Sequence, residues 1–267
     1  MPLEELLTPS ALIIGYVAAI LIGVSKTGAP GVGLFSCLLM LFAFKGHEMF
    51  ASGAVVPLLI LGDLAAVHYY RRDCSFKLLL KLWPPVAVGL LVGFVALCFM
   101  RNAQFKLTVG LLASSILVFE FARQKAGWTT ISTSLPFRLG CGVLAGATTI
   151  LGNAAGAVSA AYFSSQGLDK KSFMGTNAVF FFSVNVAKVP LMLLATCAKE
   201  HMGFAPDQAQ VMDGVTFLLT LVFAPGIFLG GFVGRKIYRA IPERIFVPFV
   251  LTLNFATAVY IVATSFV

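Results

Sequence analysis

The sequence predicts an all-α polytopic membrane protein made of two inverted-topology repeats, each beginning with a broken helix or hairpin, with about eight to ten membrane segments. Three observations predict it: an apolar composition too extreme for water, two apolar runs too long for one crossing, and basic residues that segregate only if those runs double back. Of the 267 residues, 59% are hydrophobic and 11% charged, with 25 Phe, whereas soluble domains carry about 25% charged residues. A water-surrounded core cannot hide that much apolar surface, so lipid is its solvent. A net charge of +8 would suggest nucleic acid in a soluble chain. Here the basic residues sit in short gaps between apolar runs, where topology signals belong, and no nucleic-acid partner is expected.

Eight apolar runs follow in order: 10–44, 48–70, 78–100, 105–122, 138–165, 172–195, 212–234 and 246–266. A spanning helix needs about 20 residues at 1.5 Å rise, and six runs fit one crossing. As single helices the first would be about 52 Å long and the fifth about 42 Å, against a hydrocarbon core of about 30 Å. Both must break, and both hold the means: Gly23, Gly28, Pro30, Gly31 and Gly33 in the first, Gly142, Gly146, Gly152 and Gly156 in the fifth. Ahead of the first run, Glu4 and Glu5 stand where a targeting peptide would be basic, so no cleavable leader is expected.

Counting Lys and Arg decides how the broken runs travel. One crossing each divides the loops 8 against 9, which is no signal. Doubling back places Arg71, Arg72, Lys77, Lys81, Arg123, Lys125, Arg138, Lys170, Lys171, Arg235, Lys236, Arg239 and Arg244 on one face. Only Lys45, Arg101, Lys106 and Lys199 fall on the other. A split of 13 to 4 is what the positive-inside rule demands. It makes the rich face cytoplasmic, puts both termini on the non-cytoplasmic side of the membrane, and leaves Lys26 and Lys188 within the bilayer.

The chain also reads as duplicated. Gly46 and Gly53 recur as Gly167 and Gly175, shifted by 121 and 122; Pro84, Gly89 and Gly93 recur as Pro225, Gly230 and Gly234, each shifted by 141. An odd number of side changes in the first half inverts the second copy. The organisation expected is a transmembrane repeat over 1–122, a cytoplasmic basic loop over 123–137 and a second transmembrane repeat over 138–267. Inverted repeats with matching broken segments point to a secondary transporter whose site lies between the halves. Abundant Gly and Pro in membrane helices can also match by chance.

Candidate site residues cluster at the breaks. Lys26, Thr27, Gly28, Gly31 and Gly33 lie at the first, Gly152, Asn153 and Gly156 at the second. Pro30 suits the first turn of a new half-helix. Such a half-helix start carries roughly +0.5 charge on free N–H groups, and Lys26 adds a full charge, so a small oxyanion is the favoured ligand. The alternative is that these glycines only permit close helix packing while Lys26 snorkels to an interface. Lys188, deep in the 172–195 run, needs a partner, since a lone charge there costs at least about 2.5–3.5 kcal/mol. Asp63 is the one carboxylate well inside a run and, at the 122 shift, the counterpart of Asn185. The two halves could thus bring Asp63 near a lysine, a pair that is either structural or, with Asp63 accepting a proton during the cycle, a coupling element, and Asn185 is read with it. Thr176 and Asn177, after Gly175 at the opening of the same run, offer a hydroxyl and an amide to an oxyanion, or cap their own helix.

Other polar residues have simpler readings. His68, Tyr69, Tyr70, Arg71 and Arg72 form an interfacial aromatic and basic collar. Glu120 sits near a basic loop in water; His47 and His201 are in loops. Cys37, Cys98 and Cys141 fall in apolar runs and Cys74 and Cys197 in loops, none with metal or disulfide spacing. No HExxH, GxSxG, Walker loop or Ser/His/Asp order is present, so neither an enzyme nor a cofactor or metal is expected.

At Lys26-Thr27-Gly28-Ala29-Pro30-Gly31-Val32-Gly33, Gly175-Thr176-Asn177-Ala178 and Gly230-Gly231-Phe232-Val233-Gly234 the chain resembles the TauE/SafE sulfite exporter family. The resemblance covers most of the chain, although Pro30 and Val32 interrupt what is often a run of glycines. It implies export of sulfite or a small organosulfonate across a bacterial-type plasma membrane, though plant members exist. Export is downhill electrically: each negative charge leaving gains about 2.3 kcal/mol per 100 mV, and a dianion twice that. Two rivals stand beside it: a proton-coupled importer of a small sulfur or carboxylate anion with Asp63 as carrier, and a non-transporting membrane scaffold. A homodimer is left open.

Overall fold

Lipid offers backbone amides no water, so long apolar runs close their hydrogen bonds internally as helices. The computed structural model describes residues 8–30, 32–105, 107–109, 111, 112, 115, 134–242, 244–246, 248, 249 and 252. Most of those residues are helical, and there is no strand among them. The helices are α1 (Pro9–Thr27), α2 (Val32–Ala43), α3 (Glu48–Tyr70), α4 (Phe76–Phe99), α5 (Leu135–Gly152), α6 (Ala155–Ser165), α7 (Lys170–His201), α8 (Pro206–Ala209) and α9 (Gly214–Ala240). A 3₁₀ turn, Arg71–Asp73, follows α3. Six of the described segments are long and apolar enough to cross a membrane: α1, α3 with its 3₁₀ turn, α4, α5, α7 and α9. Their outer faces carry bare aliphatic and aromatic side chains, such as Leu80 at 74% and Leu221 at 72% exposure, as a lipid solvent allows. The expected spans in 105–122 and 246–266, the loop over 123–133, both chain termini and Glu120 lie mostly or wholly outside the described residues.

Side chains fix where the helices start. Thr8 accepts from the Ala11 amide at 3.2 Å with Pro9 behind it. Asp169 accepts from Ser172 at 3.0 Å, and Asp213 from Val215 and Thr216 at 3.0 and 3.1 Å. Each carboxylate faces a helix N-terminus, where its charge is favoured. Both long runs are broken, as their length requires: the first between Thr27 and Val32, the second at Asn153–Ala154. Gly142 and Gly146 stay inside the continuous α5 rather than breaking it, and α2 starts two residues after Pro30. After the first break α2 packs along α1, with Gly33 against Ser25.

The centre is the crossing pair α3 and α7; α1 with α9 packs on one flank and α4 with α5 on the other. In both flanking pairs the backbones touch through glycine. A Cβ on Gly23 would strike Ile227 and Gly231, one on Gly230 would strike Ile20, and one on Gly234 would strike Thr27 and Val24. In the other pair, Gly146 meets Val86 and Leu90, Gly89 meets Val143, and Gly93 meets Ile150 and Ala147. Contacts advance together along each pair, so its two helices run in the same direction. Gly230→Ala is expected to lower stability by about 1–3 kcal/mol through overpacking. Gly140→Ala, with open space around it, is expected to be neutral or stabilising by up to about 1 kcal/mol. Thermal melts of the two purified variants in the same detergent check the contrast.

Helix α7 is longer than its apolar run, continuing through Cys197 and Lys199 to His201. Those residues are therefore not in a loop. Lys199 is fully buried, donating to the carbonyls of Met100 and, at 3.5 Å, Leu97, with Phe204 4.2 Å beneath it. At the opposite end of α7, Lys170 donates to the Tyr238 and Ile241 carbonyls, both at 2.5 Å. The two lysines thus satisfy the C-terminal carbonyls of α4 and α9, where helix dipoles favour cations.

Candidate functional site

The two lysines expected within the bilayer meet at the packed centre, each brought there by a different half. Lys26, in the last turn of α1, places Nζ 2.7 Å from Asp63 Oδ1 on α3; their side chains are 10% and 0% exposed. It is the one ion pair among the described residues. The stem of Lys26 lies over Gly62, and its ammonium stands 4.5 Å above the Phe181 ring of α7. The second oxygen of Asp63 accepts from Asn185 Nδ2 at 2.6 Å. Asp63 and Asn185, equivalent positions under the 122 shift, therefore touch each other where α3 crosses α7. Asn185 Oδ1 is buried and has no hydrogen-bond partner.

Lys188 lies one turn beyond Asn185 and is fully buried. Its partner is not a carboxylate. It donates to Asn153 Oδ1 at 2.5 Å and to Thr149 Oγ1 and carbonyl at 3.2 and 3.3 Å. Asn153 occupies the break after α5 in the left-handed conformation, φ 54° and ψ 28°. Among the described residues it is the one non-glycine with positive φ. Asparagine tolerates that geometry and carries both an acceptor and a donor. The acceptor takes Lys188, while Nδ2 donates to Ser52 Oγ and carbonyl on α3 at 3.1 and 3.3 Å. Cys37, buried on α2, is close enough to interact electrostatically with both lysines. Among the described residues the centre thus holds two lysine side chains, one aspartate and neutral dipoles.

The remaining candidates divide by role. Thr27 donates to the carbonyls of Gly23 and Gly231 at 3.0 and 2.9 Å, joining α1 to α9. Gly28 lies against the Gly234 backbone, so close packing accounts for it, and the Gly28 and Ala29 amides return to Val24 O. Gly152 packs on Val109 and the Gly156 carbonyl accepts from Ser159 at 3.1 Å. Gly31 lies outside the described residues. Gly175, Thr176 and Asn177 do not cap α7, whose cap is Asp169; Thr176 Oγ1 instead accepts from the Ser75 amide at 3.0 Å, at the start of α4.

Sequence reasoning missed several members. Thr149, Ser52, Cys37 and Phe181 were hidden as small or aromatic residues of apolar runs. Tyr70, read as part of a surface collar, is 7% exposed and donates to the Thr27 carbonyl at 2.7 Å, latching α3 to the end of α1. Tyr70 also packs edge-on against Tyr238, with ring centroids 5.1 Å apart. Its burial beside exposed Tyr69 carries no local sequence signal.

An all-helical multi-pass membrane protein that buries two lysines and a carboxylate at its packed centre has the build of a solute transporter. The chain belongs to the Sulfite exporter TauE/SafE family, whose profile matches residues 12–261, and it is a membrane transporter. No curated protein and no solved structure matches it.

Proposed function

We propose that the protein exports a small anion, sulfite or a small organosulfonate, across the plasma membrane by alternating access between two inverted halves, 1–122 and 138–267. The observation that carries this reading is the pairing at the centre: Lys26 and Lys188 come from separate halves, and among the described residues Asp63, bound to Lys26, is the one carboxylate beside them. That imbalance is relieved by an anion. In this reading Lys26 and Lys188 hold the substrate, Asn153 and the first-turn amides of α2 and α6 supply further donors, and Thr27, Gly28, Gly31, Gly33, Gly152, Gly156, Thr176 and Asn177 line or shape the surroundings. Both termini then face away from the cytoplasm.

The exchange of equivalent contacts supports two related halves. Gly23 on α1 meets Ile227 and Gly231 of α9; 123 positions later, Gly146 on α5 meets Val86 and Leu90 of α4, each 141 earlier than its counterpart. Gly53 touches Val211 while Gly175 touches Tyr70, again 141 apart. Gly46 and Gly167, paired by the repeat, both take positive φ, 92° and 67°. Halves related this way suit rocking about a fixed central site.

Proteoliposomes loaded with sulfite test the reading. Efflux is expected to accelerate when a potassium-diffusion potential makes the interior negative, and external sulfite is expected to drive counterflow. Absence of both would remove the exporter. One observation favours proton coupling as a second reading: a protonated Asp63 could donate to the otherwise partnerless Asn185 Oδ1 while releasing Lys26. Asp63→Asn is then expected to retain counterflow but lose its dependence on pH, whereas unchanged pH dependence excludes Asp63 as the carrier.

A further inference from the structure

A second concentration of positive charge lies away from the central lysines, on the face that the charge asymmetry assigns to the cytoplasm. A cleft of about 410 Å³ is lined by Ser75, Lys77, Lys81, Arg138, Tyr162 and Gln166, with no carboxylate in its lining. Lys77 and Lys81 are one turn apart on α4, like charges on one helix face. Arg138, in the first turn of α5, has a buried Nε without a hydrogen-bond partner.

Helix polarity sharpens the anomaly. Because α4 and α5 run in the same direction, both present N-termini at this cleft, and N-terminal dipoles repel cations. On α9, by contrast, Arg239 sits in the last turn, where the dipole favours a cation, and Arg235 lies 4.0 Å from the Tyr69 ring. At the α4–α5 cleft two positive helix ends and three cationic side chains converge, an arrangement that favours a bound anion. Immediately outside, Phe76 is 58%, Leu80 74%, Leu135 54% and Leu139 45% exposed, an apolar surface facing lipid. Cations at the rim of lipid-facing helices suit a phospholipid headgroup.

We propose that this cleft binds the phosphate of an anionic phospholipid from the cytoplasmic leaflet, with its acyl chains lying along the outer faces of α4 and α5. The site requires membrane insertion but not transport, so a transport-dead protein retains it.

Native mass spectrometry of delipidated protein, supplied with either phosphatidylglycerol or phosphatidylcholine, tests the assignment. The wild type is expected to retain the anionic lipid at least fivefold more than the zwitterionic one. Lys77→Gln/Lys81→Gln/Arg138→Gln is expected to abolish that preference, while Arg71→Gln/Arg72→Gln, which removes two exposed charges next to the cleft, changes it less than twofold. Equal retention of both lipids, or an equal loss in the two variants, overturns the proposal. So does displacement of the lipid by millimolar inorganic phosphate, which would make this a site for free oxyanions. Should the triple variant not fold, the single Lys77→Gln and Lys81→Gln variants decide: both side chains are exposed, and unchanged lipid preference in both overturns the assignment.

Discussion

Replacing Lys26 with Ala is expected to stop transport and to destabilise the protein by about 3–5 kcal/mol, because it leaves the Asp63 carboxylate buried and without its counter-charge. Asp63 is wholly buried, and Asn185 alone remains to hydrogen-bond it. Lys26→Met/Asp63→Leu removes both charges and should restore most of the lost stability. It should not restore flux, because the ammonium assigned to the substrate is gone. Melting in detergent and sulfite counterflow separate the two effects. A single variant that melts with the wild type, or a double variant that transports, would sink the role given to this pair.

Lys188→Met is expected to behave differently. Lys188 faces Asn153 and Thr149 rather than a carboxylate, so its removal strands neutral groups only. Relief from burying a charge offsets much of the cost of those lost hydrogen bonds, commonly about 1–3 kcal/mol. Stability should therefore change by no more than about 1 kcal/mol. Anion affinity should fall about ten- to a hundredfold, as expected for losing a charged hydrogen bond of about 1.5–3 kcal/mol. The measurement is the rise in melting temperature on adding sulfite, which grows with ligand concentration over Kd for any ligand of the native state. An undiminished sulfite shift in Lys188→Met would place the anion elsewhere.

The breaks were legible in the sequence because length forced them: no helix of 10–44 or 138–165 fits a bilayer once, and Gly and Pro mark where the chain can yield. The 122-residue shift marked Asp63 and Asn185 as counterparts, but that they hydrogen-bond each other is seen only in the structure. That Asp63 would lie near a lysine was legible from its isolation inside an apolar run; that the lysine is Lys26 and not Lys188 was not. It depends on how α1 packs against α3, which no local pattern encodes. Thr176 looked like part of its own helix opening but serves the start of α4, a partner distant in the chain. Lys199 looked like a loop charge because charge and loop usually coincide; its long stem lets it enter the core and bind the carbonyls ending α4. Tyr70 illustrates the same limit, as Tyr69 and Tyr70 are chemically alike and only helix rotation buries one of them.

The lysines at the two ends of α7 also bear on what can move. With Lys170 fastened to the end of α9 and Lys199 to the end of α4, the longest helix works as a tie-rod, and tilting it against either neighbour would pull an ammonium off its carbonyls. Motion that exposes the centre to alternate sides must then carry α7 together with α4 and α9, and it falls on the contacts that join α7 to the two breaks, Lys188 to Asn153 and Asn185 through Asp63 to Lys26. Amide exchange should accordingly be slowest along the braced midsection of α7.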